Sequence, residues 1–332
     1  MLSKEAIAFS ILYFSIFITS LIGNSFILAA VYTHKKLHST VNILLANVAL
    51  ADFFFTFFSI ANCIEFLAEE WLLSDAVCRI QGTLIEVFYT VSIITLSVIS
   101  LERYFIICRT KRPRRSKITS IKIAGVIWAI SFAFCSPLFY GWMAAPNAHG
   151  KIECYNNRWS NDARFIYYSL HAFFVYILPL CVMLFAHYNL SSTLRLATLS
   201  SGDQLIHPDE GGRNKFKNEC KEKLFVRKKR QRMRNKKIIN LLVTITVLFV
   251  VLWTPFIAVR LVDHAGIRMN SLTWMLTQLL AFLNTAVNFF IYAVINQELR
   301  SAFQSLSCCG LFERLENTSV ISTVTSSTIQ WL

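Results

Sequence analysis

The sequence predicts an all-α integral membrane protein: a bundle of seven transmembrane helices followed by a short amphipathic eighth. Three observations carry this reading. Hydrophobic residues fill 55% of the 332 positions and charged residues only 16%, a balance too apolar for a water-soluble domain of this size. Seven runs are long enough to cross ~30 Å of hydrocarbon, which takes ~20 helical residues at ~1.5 Å of rise each. The basic residues, finally, fall almost entirely in alternate segments between those runs.

The runs extend from Ile7 to Tyr32, Val41 to Phe66, Ile80 to Ile107, Ile123 to Trp142, Phe165 to Leu190, Ile238 to Val262 and Leu272 to Ile295. The first follows Lys4 as the core of a signal peptide would, but it is too long for one and no small-residue cleavage site follows it. Residues 1–6 are then an amino terminus, 7–295 the bundle with a long basic connection over about 191–237, and 296–332 the eighth helix and tail. The segments Thr33 to Thr40, Arg103 to Lys122, Asn189 to Lys237 and the tail from Asn296 hold 26 of the 33 Lys and Arg residues. The positive-inside rule makes this set cytoplasmic and puts the amino terminus outside, as in a multi-pass plasma-membrane protein.

A net charge of +14 raises nucleic acid as a partner, yet 13 basic residues sit between Arg213 and Lys237, directly before a span. A juxtamembrane stretch meeting anionic lipid accounts for them, as does a docking surface for an acidic partner, and nucleic acid is not expected. Ser200, Ser201, Gly202, Pro208, Gly211 and Gly212 mark the first half of that connection as a loop. Its second half reads as a helical extension of span six.

Of nine cysteines, only Cys78 and Cys154 fall in outward segments near span ends. A bridge between them would tie the outer end of span three to the long loop Ala144 to Ala163. Cys308 and Cys309 follow the last span on the inside, where reversible acylation and free thiols are both open readings.

Ionisable and amide groups inside spans are expensive and therefore point to function. Asp52 lies in the middle of span two, and Asn24, Ser92, Asn284 and Asn288 lie at similar depth on other spans. One carboxylate with a hydroxyl and amides is a donor set for a small hard cation, sodium outside cells, or else a hydrogen-bonded network with water. At the inner end of span three, Glu102-Arg103-Tyr104 puts an acid beside a guanidinium, with a snorkelling anchor as the plainer reading. Toward the outer face, Glu86, His171 and Arg260 interrupt apolar runs. Phe249, Trp253, Phe256 and Arg260 share one stripe of span six, which either lines a pocket or packs on neighbouring helices.

These residues give a resemblance to the rhodopsin-like class of G-protein-coupled receptors that covers nearly the whole chain. Gly23-Asn24 on span one, Leu50-Ala51-Asp52 on span two, Trp71 seven residues before Cys78, and Glu102-Arg103-Tyr104 24 residues after Cys78 all match its pattern. So do Trp128 and Pro137 on span four, Pro179 on span five, and Phe249 with Trp253-Thr254-Pro255 on span six. Asn296-Gln297-Glu298-Leu299-Arg300-Ser301-Ala302-Phe303 looks like the family's eighth helix. The resemblance implies a ligand site near Ile85, Glu86, Tyr89, His171, Trp253, Phe256, Arg260 and Gln278. It also implies a switch in which Ile93, Pro179 and Phe249 repack, span six swings out, and Arg103 meets a heterotrimeric G protein. Asn288 and Tyr292 belong to the same machinery, and arrestin and receptor kinases are implied as further partners.

Four departures narrow the carry-over. Ile85 stands where amine receptors place an aspartate, with Glu86 beside it. Span seven has no lysine, so a retinal Schiff base and any such cofactor are not expected. His187 replaces a span-five tyrosine, and Phe289 replaces the proline of the family's NPxxY. The phrase Pro137-Leu138-Phe139-Tyr140-Gly141-Trp142 carries a faint likeness to the amine and opsin branches. The family also often restrains the arginine with an acid 20 residues before the span-six proline. Counting back from Pro255 gives Asn235, so appreciable signalling without agonist is expected.

An alternative is a polytopic transporter or channel, but no internal repeat and no pair of proline-broken helices supports it. No nucleophile, base and carboxylate constellation or HExxH motif suggests an enzyme. The ligand is not written in the sequence: a peptide, a small zwitterion and a lipid acid all suit the mixed charges of the outer segments. A large tethered ligand domain is not expected from about six residues of amino terminus.

Overall fold

The computed structural model describes residues 4–108, 116–147, 150–156, 158–202 and 215–295, with 299, 301 and 302. Seven helices in it are long and apolar enough to cross a membrane: Ile7–Thr33, Thr40–Ala68, Asp75–Cys108, Lys117–Gly141, Asn161–Arg195, Asn235–His264 and Leu272–Ile291. They are called spans one to seven below. Side chains facing out of the bundle, such as Ile11, Val126, Phe185 and Val251, are apolar and more than half exposed, as a surface solvated by lipid requires. Cys308, Cys309 and most of the expected eighth helix lie outside the described residues, although Leu299 and Ala302 are helical and buried.

Local chemistry sets the helix ends. Ser39, Ser116 and Ser160 each accept a backbone N–H at the start of spans two, four and five, from Asn42, Thr119 and Ala163 at 3.3, 3.2 and 3.2 Å, which satisfies donors the first turn leaves over. Span two stops where Glu69 turns left-handed at φ 54°. Span six is the membrane part of one helix, Lys215–His264, that carries Pro255 inside it.

Span three is the hub and packs against spans two, four and five; span one lies on spans two and seven, and span six on span seven. Polar contacts pin these crossings inside an otherwise apolar core. Trp128 donates to Asn47 Oδ1 at 2.9 Å, and Asn47 donates to Thr95 at 2.9 Å, which joins spans four, two and three. Ser20 contacts Thr56 and Thr285 at 2.7 and 2.9 Å, while Asn24 donates to the Thr285 carbonyl at 3.1 Å.

The last turn of span four, Leu138–Gly141, leads into an antiparallel hairpin, β1 (Trp142–Pro146) with β2 (Ile152–Asn156). The Cys78–Cys154 disulfide fixes it over the bundle, with Cα atoms 5.6 Å apart. Carboxylates occupy its edges: Ala144 N–H donates to Asp75 at 2.9 Å, Cys154 N–H to Glu65 at 2.7 Å and Ile152 N–H to Glu70 at 3.4 Å. Lys151 reaches the exposed Glu69 at 2.7 Å, and this bond holds the Glu69 carboxyl below the usual carboxylate range. Gly82 is required where Trp142 crosses span three, because a methyl group there would overlap the indole ring.

Candidate functional site

At the hairpin end of the bundle, a charged group is buried between spans three, five and six. Arg260 Nη1 donates to Glu86 Oε1 at 2.5 Å, and His171 Nε2 lies 3.5 Å from Glu86 Oε2. Glu86 is 7%, His171 0% and Arg260 4% exposed, so water cannot neutralise these charges and the pair must do it. The guanidinium lies over the rings of Tyr168 and Phe256, 4.5 and 5.1 Å from their centroids. Within the protein, the partner of the Arg260 guanidinium is therefore Glu86.

Beneath the pair, Tyr89 stacks on Trp253 with centroids 4.1 Å apart and on His171 at 5.8 Å. Trp253 also meets Phe256 at 6.0 Å and Phe249 at 6.2 Å. The span-six stripe therefore packs on neighbouring side chains, and Arg260 at its outer end carries the buried charge. Ile85 is half-buried against the core. Gln278 is exposed on span seven, and the buried group does not include it.

One layer deeper, Asp52 accepts from Ser92 Oγ and from Asn288 Nδ2, each at 2.8 Å. A small cavity adjoins the carboxylate, lined by Asp52, Ser92, Asn284, Thr285, Tyr89, Ile93, Phe249 and Trp253 among others, with room for about one water-sized body. Oxygen donors around such a space fit a small hard cation. Asn24 joins this layer indirectly, through Ser20, Thr56 and the Asp52 carbonyl, to which Thr56 donates at 2.7 Å.

The residues expected to form the switch follow toward the end that carries the basic stretch. Ile93 and Phe249 share the cavity wall, and the Pro179 carbonyl accepts from Ser97 at 3.4 Å. Glu102 is buried, Arg103 and Tyr104 are half-buried, and the Tyr104 ring meets Phe185 of span five at 5.5 Å. Tyr292 is helical in Ser271–Ile295. His187 contacts Thr246 at 3.0 Å and so ties span five to span six. Phe289 fills a notch left by Gly23, where a methyl group would overlap its ring.

Several contributors carry no sequence signal of their own. A π-helical segment, Ala172–Ile177, precedes Pro179 and re-aims the residues around His171. Proline has no N–H to give the preceding turn, which favours this widening. Tyr168 stands one turn before His171 on the same face, a relation readable from spacing once His171 is suspected. Tyr176, whose hydroxyl lies 2.5 Å from that of Thr254, looks in sequence like any apolar span residue.

Residues 23–292 match the model of the 7 transmembrane receptor (rhodopsin family). The galanin receptor 2b of Danio rerio is 25% identical over 95% of this chain and 79% of its own length. The QRFP-like peptide receptor of Branchiostoma floridae is 23% identical over 90% and 77%, and the neuropeptide Y receptor type 2 of Macaca mulatta 26% over 90% and 75%. The chain belongs to the rhodopsin family of seven-transmembrane receptors and is a multi-pass membrane protein with a G-protein-coupled signalling role.

Proposed function

We propose that this receptor sits in the plasma membrane with its amino terminus and hairpin outside, recognises a peptide, and activates a heterotrimeric G protein through Arg103 and the basic end. The observation that carries this reading is the buried Glu86, His171 and Arg260 group, in which His171 stacks on Tyr89 and Tyr89 stacks in turn on Trp253. A ligand that disturbs the charges there has to move the Trp253 ring and, through it, Phe249. The names of the three relatives support a peptide, and a disulfide on the hairpin suits an oxidising exterior. Arrestin and receptor kinases are proposed as later partners of the same end, and Cys308 and Cys309 as acylation sites.

The experiment is a G-protein activation assay on cells expressing the receptor, challenged with galanin, neuropeptide Y and QRFP peptides beside receptor-free cells. A receptor-dependent response to one or more peptides is expected. Response only to non-peptide ligands in a broader panel would overturn the peptide reading and leave the family intact.

We also propose that Asp52, Ser92, Asn284 and Asn288 hold sodium in the resting state. Asp52→Asn should abolish the sodium dependence of ligand-free activity. An unchanged sodium response would make the cluster structural only.

A further inference from the structure

The buried group at the hairpin end holds more hydrogen-bond donors than acceptors. Arg260 Nε and Nη2, Tyr89 Oη, Trp253 Nε1, Glu86 Oε2 and both ring nitrogens of His171 make no hydrogen bond within the protein. Each of these residues is more than nine-tenths buried, where an unmet polar atom is costly and calls for an explanation. The spare atoms are unequal in kind. Arg260 offers N–H groups from two nitrogens, Tyr89 and Trp253 one each, and a neutral imidazole one donor and one acceptor. Among these atoms the acceptors are fewer: Glu86 Oε2, one His171 nitrogen and the Tyr89 oxygen.

The geometry of the guanidinium sharpens this. Glu86 engages Nη1 alone, so the edge formed by Nε and Nη2 keeps its parallel N–H groups. That edge matches two oxygens of one planar group. Tyr89 lies one turn below Glu86 on the same face of span three, and its ring is stacked on Trp253.

We propose that the Nε and Nη2 edge of Arg260, with the Tyr89 hydroxyl and the Trp253 indole N–H, is a subsite for an oxygen-acceptor group of the ligand, a carboxylate or an amide carbonyl. Glu86 holds the guanidinium from its other side and orients the free edge. The proposal rests on the receptor reading above, in which ligand enters from the hairpin end. The Arg260 charge makes the site prefer anionic or acceptor-bearing solutes over cationic ones, and Glu86 tempers that preference.

The test uses charged thiol reagents on intact cells. In Phe256→Cys, whose ring otherwise lies against the guanidinium, the sulfonate-bearing ethyl methanethiosulfonate should react about tenfold faster than the trimethylammonium one. Wild-type receptor supplies the background from Cys181. Adding Arg260→Gln should remove or invert the preference, and adding Glu86→Gln should raise it. Where a single charge change keeps the protein from the cell surface, Glu86→Gln with Arg260→Gln must still lack the preference. Where Phe256→Cys itself fails to reach the surface, Ile85→Cys takes its place.

Acetate and acetamide then serve as competitors. Slowing by acetate alone assigns a carboxylate, by acetamide alone an amide carbonyl, and by both the shared acceptor chemistry. A faster cationic reagent, no reaction with either reagent, a ratio indifferent to Arg260→Gln, or protection by neither competitor would overturn the subsite. None of those outcomes touches the receptor reading, which stands on G-protein activation.

Discussion

Removing one partner of the Glu86 and Arg260 pair leaves the other charge in a space that water does not reach. Such a loss typically costs ~3–5 kcal/mol, whereas exchanging both partners for apolar groups of similar volume is often close to neutral. Arg260→Met and Glu86→Leu should therefore each lower the melting temperature of the detergent-purified receptor substantially, and the double variant should recover most of the loss. Melting of the double variant below both single variants would mean that the charges do not compensate each other. Asp52 obeys the same arithmetic, because its buried carboxyl accepts from Ser92 and Asn288 on two other spans. Glu86, Arg260, His171, Asp52 and Asn288 were individually legible in the sequence, since ionisable and amide groups are rare in apolar runs. Which of them pair was not legible, because partners come from spans up to 236 positions apart and periodicity within one helix says nothing about them.

At the scale of helices, the close approach of spans one and seven depends on a glycine. Phe289 presses its ring into the notch at Gly23, so Gly23→Ala should force the ring aside at a cost of ~1–3 kcal/mol. Phe289→Ala in the same chain should restore the fit. Thermal melting of the two variants tests this, and a Gly23→Ala receptor as stable as the parent would show that Phe289 moves away freely. The spans themselves were legible because lipid demands long uninterrupted apolar runs, and the structure has a helix at each. The hairpin, the π-helical segment at Ala172–Ile177 and the hydroxyl network of Ser20, Thr56 and Thr285 were not. Strand pairing in a fifteen-residue loop depends on Glu65, Glu70 and Asp75 at its edges, which lie far off in sequence. Serine and threonine in a span are common enough to give no warning, because each can satisfy itself on its own helix, as Thr56 does on the Asp52 carbonyl.

Across the whole molecule, the three layers form one chain of contacts. The charged group at the hairpin end meets Tyr89 through His171, and Tyr89 stacks on Trp253; Trp253, Phe249, Ile93 and Asp52 share one cavity wall; span six then runs on to Asn235 and the basic end. A packed column of this kind transmits a change by choosing between arrangements, and its resting balance is set by small energies at the ends. Asn235 supplies no carboxylate to the restraint that the family often places there. An ion pair at a half-wet boundary contributes on the order of 1 kcal/mol, and ~1.4 kcal/mol shifts a two-state ratio tenfold. The most direct measurement is nucleotide exchange on purified heterotrimeric G protein by the receptor reconstituted in vesicles, without ligand and at graded receptor amounts, beside the Asn235→Glu variant. Exchange should rise with receptor, fall several-fold in Asn235→Glu, and rise again with an activating peptide; exchange no faster than in receptor-free vesicles, at every receptor amount and with every peptide, would contradict the account.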